Sequence, residues 1–352
     1  MKAIVYEKYG SPNDLQLKDV EKPTPKDNEV LVKIYATTVT PGDVIVVKGE
    51  PFAVRFFSGL LRPKHRIPGK EMAGRVEAVG RSVTQFQAGD DVFGDLTVCG
   101  LGAFAEYVSV PENAIAPKPA NLTFEQAAAV PESALVALQG LRDHGRIRPG
   151  QKVLINGTSG GVGSYAVQIA KSFGAEVTAV CSTRNLDRAR SLGADHVIDY
   201  TQEDFTQNGK QYDLILAANG YHPISDYKRA LSPEGTYVAT GGSMAQTFEA
   251  MLQGPVISMR GNKKMGNMLV KPNKEDLVFM KDLIEAGKVI PTIDRRWPLS
   301  EFAEAFRYLE EGHAQGKVVI TVQEDGPDKP LDRPIAIPAV SERLAGESFR
   351  GV

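Results

Sequence analysis

The chain has 352 residues, enough for about two domains at roughly 150 residues each. Its composition is ordinary, with 42% hydrophobic and 24% charged residues, and 41 Lys and Arg against 43 Asp and Glu leave a net charge of −2. That balance excludes a strongly basic nucleic-acid binder and argues against an anionic membrane partner. The two cysteines, Cys99 and Cys181, exclude both a disulfide framework and a four-cysteine zinc lobe. The N-terminus has no apolar signal core, and the uncharged run 153–170 is broken by glycines and polar residues. These features set the expectation of a reducing compartment, the cytoplasm or an organelle whose transit peptide has been removed, with the cytoplasm preferred.

The first 120 or so residues read as β-rich, with short strands expected at 30–34, 74–79, 89–94 and 105–108 between Gly and Pro turns. Such closely spaced turns suggest a small barrel or sandwich. Thr123-Phe124-Glu125-Gln126 forms a capping box, with Thr123 starting a helix through Ala129, and a second helical stretch covers 133–143. From Lys152 the pattern alternates. Strands are expected at 153–156, 176–181, 196–199, 212–217 and 236–241, with helices at 162–173, 186–192 and 223–231. Apolar strands alternating with helices imply βαβ units on a parallel sheet. Helices at 274–287 and 299–311 and a strand at 317–322 follow. The Pro-rich stretch 325–352 reads as a surface tail.

The strand at 153–156 runs into Gly157-Thr158-Ser159-Gly160-Gly161-Val162-Gly163 and then a helix. This strand–loop–helix context marks a dinucleotide site, whose pyrophosphate needs a tight turn, close backbone approach and a helix N-terminus. The second strand ends in Ser182, Thr183, Arg184 and Asn185, with no carboxylate before Asp187. Hydrogen-bond donors and a bidentate cation there suit a 2′-phosphate, so the expected cofactor is NADPH.

The ordered motifs Pro68-Gly69-Lys70-Glu71-Met72-Ala73-Gly74, Gly89-Asp90-Asp91-Val92-Phe93-Gly94, Gly102-Ala103-Phe104-Ala105-Glu106-Tyr107, Asn156 through Gly163, Leu192-Gly193-Ala194-Asp195 and Gly316-Lys317-Val318-Val319 carry a family resemblance. The chain resembles the medium-chain dehydrogenase/reductase superfamily, and within it the zinc-independent quinone oxidoreductase-like branch. The resemblance implies an α/β fold with a GroES-like β-barrel catalytic domain and a Rossmann doubly wound parallel-sheet domain. The expected boundaries are 1–124 and 266–324 for the discontinuous catalytic domain, 125–265 for the NADPH-binding domain and 325–352 for the tail. It also implies a homodimer.

Zinc-dependent relatives carry a cysteine where this chain has Thr40 and a histidine where it has Lys70, and no ligand cysteine stands near Glu132 to Val136. Catalytic zinc needs about three protein ligands, so no metal is expected. Hydride transfer to an electrophile that needs no Lewis acid then fits, and the expected small-molecule substrates are quinones or α,β-unsaturated carbonyls. A broader alcohol or carbonyl dehydrogenase and a non-catalytic NADPH-binding regulator acting through the tail are the alternatives.

By resemblance, Lys70, Thr40 and Asp43 are the candidate catalytic residues. Lys70 would polarise a carbonyl with a lowered pKa, or would only pair with Glu71 or Asp43. Thr40 would bond the carboxamide or substrate, and Asp43 would fix its loop. The expected cofactor contacts are Gly157, Ser159, Gly160, Gly161, Val162, Ser182, Arg184, Asn185, Tyr200, Asn219, Thr240, Gly241 and Lys317, the last near the pyrophosphate. The aromatic, basic segment 52–63 would line an apolar mouth or pack against another surface. His65, His144, His196, His222 and His313 show no ligand spacing and are expected to be non-catalytic.

Overall fold

The computed structural model describes residues 1–323. The tail expected at 325–352 lies outside the described residues. Two sheets organise the molecule. The first is antiparallel over most of its width and is centred on the long strand Glu29–Val39, whose partners are Glu71–Val79, Tyr107–Pro111 and Lys317–Thr321. Strands Asp91–Asp95 and Ile115–Pro117 extend one side, and Ile293–Pro298 joins parallel to Lys317–Thr321 on the other. The last described strand of the chain therefore returns beside the N-terminal strands. Val30, Val32, Ile34, Val92 and Val110 fill the interior of this sheet.

The second sheet has six parallel strands in the order His196–Asp199, Glu176–Cys181, Lys152–Asn156, Tyr212–Ala217, Leu231–Ala239 and Lys264–Asn267. In chain order this is 3-2-1-4-5-6, the doubly wound arrangement. Order reverses between Lys152–Asn156 and Tyr212–Ala217, so a crevice opens at their carboxyl ends. Strand Lys264–Asn267 was not foreseen, and it carries the parallel sheet past the expected boundary at 265. Helix Met244–Arg260 also escaped the sequence reading, because it contains Pro255, which normally ends a helix.

Helix Phe124–Ala128 starts at Thr123 with the expected capping box. It and helix Pro131–Gln139 bridge the two sheets. One continuous apolar cluster joins Ala36, Ala73 and Phe93 of the first sheet, through Leu135 of helix Pro131–Gln139, to Ile155 of the second sheet and Tyr165 of helix Gly161–Ser172. Each large side chain buried there stabilises by roughly 1.5–3 kcal/mol. The bridge matters for function, because it fixes Glu132 and Ser133 between the two sheets.

Candidate active site

The glycine loop follows strand Lys152–Asn156 directly. Gly157 has φ +89, and a Cβ there would lie 2.6 Å from the Cβ of Asn219. A Cβ on Gly163 would lie 2.1 Å from the Gly157 carbonyl oxygen. Both positions therefore exclude a side chain. The Gly157 and Thr158 N–H groups donate to the Val180 carbonyl at 3.1 and 3.2 Å, tying the loop to the second strand. Helix Gly161–Ser172 starts at Gly160 with no side-chain cap, so its first N–H groups remain available to an anion.

A cleft of about 930 Å³ opens over this loop. Its lining brings together Gly157, Ser159, Ser182, Arg184, Asn185, Tyr200 and Asn219 among the expected cofactor residues. Gly160, Gly161 and Val162 continue the loop into the helix just outside that lining. Thr240 and Gly241 sit at the end of the fifth strand, also outside it, with the Thr240 hydroxyl donating to Ala217. Tyr200 is 59% exposed and presents a free aromatic face. Asn185 is corrected in role: it is buried, and its amide donates to the Ser182 hydroxyl at 3.0 Å, so it shapes the turn. His222 and His313, set aside in the sequence reading, also line the cleft. Substituting Gly157 by Ala is expected to weaken reduced-dinucleotide binding by roughly ten- to a hundredfold, through loop strain of about 1–3 kcal/mol. Fluorescence titration of the reduced nicotinamide measures this, and unchanged affinity contradicts the assignment.

Beneath the loop lies a buried group of charges. Thr40 caps helix Pro41–Lys48. Its N–H and hydroxyl donate to Asp43 Oδ2 at 2.9 and 2.8 Å, and its hydroxyl oxygen accepts from the Asp43 N–H at 3.2 Å. Thr40 and Asp43 thus hydrogen-bond one another at the start of helix Pro41–Lys48. Thr40 is corrected: its hydroxyl is committed to the cap.

The Lys70 ammonium lies over Gly42, where a Cβ would come within 2.0 Å of it, and it pairs with Glu132 at 3.0 Å. Its expected partner was Glu71 or Asp43, so the pairing is corrected. Burial alone would lower the Lys70 pKa, but the carboxylates of Glu132, Asp43 and Asp95 outweigh burial and hold it above the ordinary lysine value. The expected lowering is therefore overturned.

Lys317 is corrected as well. Its stem passes Gly161, but its ammonium is buried and paired with Glu71. Glu71 also accepts from the Thr38 hydroxyl and, at 2.7 Å, from the Glu132 N–H. Burial raises Asp43 and Asp95 to about 7, reinforced at both by the charge of Glu132. The sequence reading missed Glu132 and Asp95. It had noted Glu132 only as a place where no cysteine stands.

Segment 52–63 is largely solvent-facing, with Phe56, Phe57 and Leu61 70%, 88% and 87% exposed. Among the described residues no three His, Cys, Asp or Glu side chains converge as a metal site, and no helix is long and apolar enough to cross a membrane.

Comparison with known proteins agrees with this architecture. Residues 26–120 match the alcohol dehydrogenase GroES-like domain, and residues 192–320 match the family described as zinc-binding dehydrogenase. A chloroplast envelope quinone oxidoreductase homolog of Arabidopsis thaliana is 37% identical, over 91% of this chain and 98% of its own length. An NADPH-dependent alkenal/one oxidoreductase, chloroplastic, of the same plant is 34% identical over 91% of this chain and 79% of its own. The solved quinone oxidoreductase of Coxiella burnetii superposes with a TM-score of 0.81 at 30% identity, covering 92% of this chain and 99% of that one.

Fold and site together define an NAD(P)H-dependent oxidoreductase with a barrel domain and a doubly wound domain. The chain belongs to the medium-chain dehydrogenase/reductase superfamily, in its zinc-independent quinone oxidoreductase-like branch. The cytoplasmic expectation is corrected, because relatives carry chloroplast or mitochondrial locations in their names. Sparse unpaired cysteines do not distinguish one reducing compartment from another.

Proposed function

We propose that the chain is an NADPH-dependent reductase of quinones and α,β-unsaturated carbonyls. The observation that carries this reading is the buried Lys70–Glu132 pair, with Lys70 standing, by the family resemblance, where zinc-dependent relatives carry a ligand histidine. The names of two relatives, a quinone oxidoreductase homolog and an alkenal/one oxidoreductase, support it.

The residues present fit a dinucleotide. Gly157, Ser159, Gly160, Gly161 and Val162 would hold the pyrophosphate through the loop and helix N–H groups. Ser182 and Arg184 would take the 2′-phosphate, on a turn held by Asn185, and Tyr200 would cover the adenosine. Asn219, Thr240 and Gly241 stand at the strand ends where the nicotinamide belongs. When bound, the reduced nicotinamide supplies the hydride. The chain's own part is to position the acceptor and to place a fixed ammonium, Lys70, near the developing oxyanion.

Consumption of NADPH is expected with a quinone and with an enone, and little with a simple saturated ketone. Consumption with the ketone alone, or with none of the three, contradicts the reading. Arg184 is exposed and has no ion-pair partner among the described residues. Arg184→Ala is expected to raise the KM for NADPH about tenfold, the loss of one charge-assisted contact, with the KM for NADH unmoved. Equal changes for both cofactors would rule out a 2′-phosphate contact.

The expected homodimer is part of the proposal. Strand Lys264–Asn267 is an open sheet edge, flanked by Met259 and Leu269, which are 79% and 82% exposed.

A further inference from the structure

The charges under the glycine loop do not balance. Four carboxyls, Asp43, Glu71, Asp95 and Glu132, face two ammoniums, Lys70 and Lys317. Asp43, Glu71, Asp95 and Lys317 are at most 4% exposed, and Lys70 is 8% exposed. Each ammonium already has one carboxylate, Glu132 for Lys70 and Glu71 for Lys317. Asp43 and Asp95 are left over. An unpaired charge in such a site is expelled by protonation.

Asp95 makes the point geometrically. It stands directly opposite Glu71 on the neighbouring antiparallel strand, where like charges repel. Its Oδ1 accepts from the Thr97 N–H and hydroxyl at 2.8 and 2.5 Å. Its Oδ2 is buried and has no hydrogen-bond partner among the described residues. The groups acting on it are Glu132 and Glu71, with Lys70 and the Cys99 thiol on its other sides. Asp43 is faced by Lys70, Glu132, Thr40 and the Tyr6 phenol. The group also abuts the cofactor loop. A Cβ on Gly161 would lie 2.7 Å from the Ser133 hydroxyl, next to Glu132, and 3.1 Å from Lys317 Cδ.

We propose that this cluster is a buried proton store, in which Asp43 and Asp95 keep part of their protons up to neutral pH and feed the reduction through Lys70 and Glu132. Those last two reach solvent, with side chains 11% and 20% exposed. The delivery half rests on the function proposed above, whereas the store itself does not. In that reaction a hydride, two electrons with one proton, leaves the reduced nicotinamide for the β-carbon of an enone. The π pair moves to oxygen as an enolate. The enolate takes a proton from the Lys70 ammonium, and the resulting amine takes one from Asp43 or Asp95. Water then reprotonates that aspartate. The sum consumes one NADPH, one proton and one enone, and yields NADP⁺ and the saturated ketone.

The store is tested on the full chain without substrate by infrared titration. Neutral-carboxyl C=O absorption is expected at neutral pH and should vanish as pH rises past about 7. It should lose about half its intensity in Asp95→Asn and in Asp43→Asn. Absence of that absorption in the wild type at neutral pH overturns the store, and this reading needs no variant to fold. Delivery is tested with NADPH and an enone. Wild-type kcat should fall above about pH 7, while the double variant Asp43→Asn/Asp95→Asn should lower kcat about tenfold and flatten that limb with the KM for NADPH unchanged. A wild-type limb retained in the double variant overturns delivery. If no quinone or enone is reduced at all, the proposed function fails while the infrared result still decides the store.

Discussion

Lys70→Met is expected to lower stability by about 3–5 kcal/mol and to cut turnover sharply, with NADPH affinity little changed. The loss has a definite origin. Lys70 pairs with Glu132 at 3.0 Å in a site already short of positive charge. Removing the ammonium leaves Glu132, largely buried, without its nearest counter-ion, beside Asp43 and Asp95. The methionine fills the volume but not the charge. The double variant Lys70→Met/Glu132→Gln removes both members and should recover all but about 1–2 kcal/mol of the loss, because a buried pair contributes little beyond an apolar replacement. Turnover should stay low in the double variant if the ammonium acts on the substrate. Denaturant unfolding and steady-state kinetics on the wild type, Lys70→Met and the double variant separate the two roles. Turnover that recovers with stability would make Lys70 a purely structural residue, and single-variant stability within about 1 kcal/mol of wild type would contradict the burial argument.

The glycine loop and the charge cluster differ in how far each was legible. Gly157, Gly160 and Gly163 encode their function locally, because a sharp turn after a strand needs residues without Cβ at fixed spacing. Thr123 with Gln126, and the alternation of strands and helices after Lys152, are local in the same sense. The cluster is assembled from far apart in the chain. Lys70 meets Glu132 across 62 positions, and Glu71 meets Lys317 across 246. Only the return of strand Lys317–Thr321 beside Glu29–Val39 creates the second pair. Residue type alone therefore gave Lys317 a phosphate partner and Lys70 the wrong carboxylate. The one available signal was Glu132 itself, an acidic residue in a helical stretch, 130–138, that is otherwise apolar except for Ser133.

Stability itself should fall as pH rises from about 4 to about 7. A folded-state Asp43 or Asp95 holds its proton until about pH 7, whereas the unfolded chain releases it near 4. Over that window the folded state binds more protons, so each unit of pH favours unfolding, up to about 4 kcal/mol for one such carboxyl. Above 7 both states are ionised and the loss stops growing. Glu132 has the opposite sign. Burial disfavours its charge, but Lys70 and Lys317 outweigh burial and hold it below the ordinary glutamate range. Its contribution is present above that ordinary range and is lost only as pH falls below it. The two windows meet near pH 4–5, where the cluster stabilises most. His65 also titrates nearby: burial and Lys64 push it down, which favours folding as pH rises toward its ordinary value. The informative quantity is therefore the difference between wild type and Asp95→Asn, in which His65 cancels. Between pH 5 and 7 that difference should move steadily in favour of the variant, because an amide carries no proton to lose. A difference that stays flat over this range means that Asp95 is already ionised at pH 5, and the cluster must then hold its excess charge in some other way.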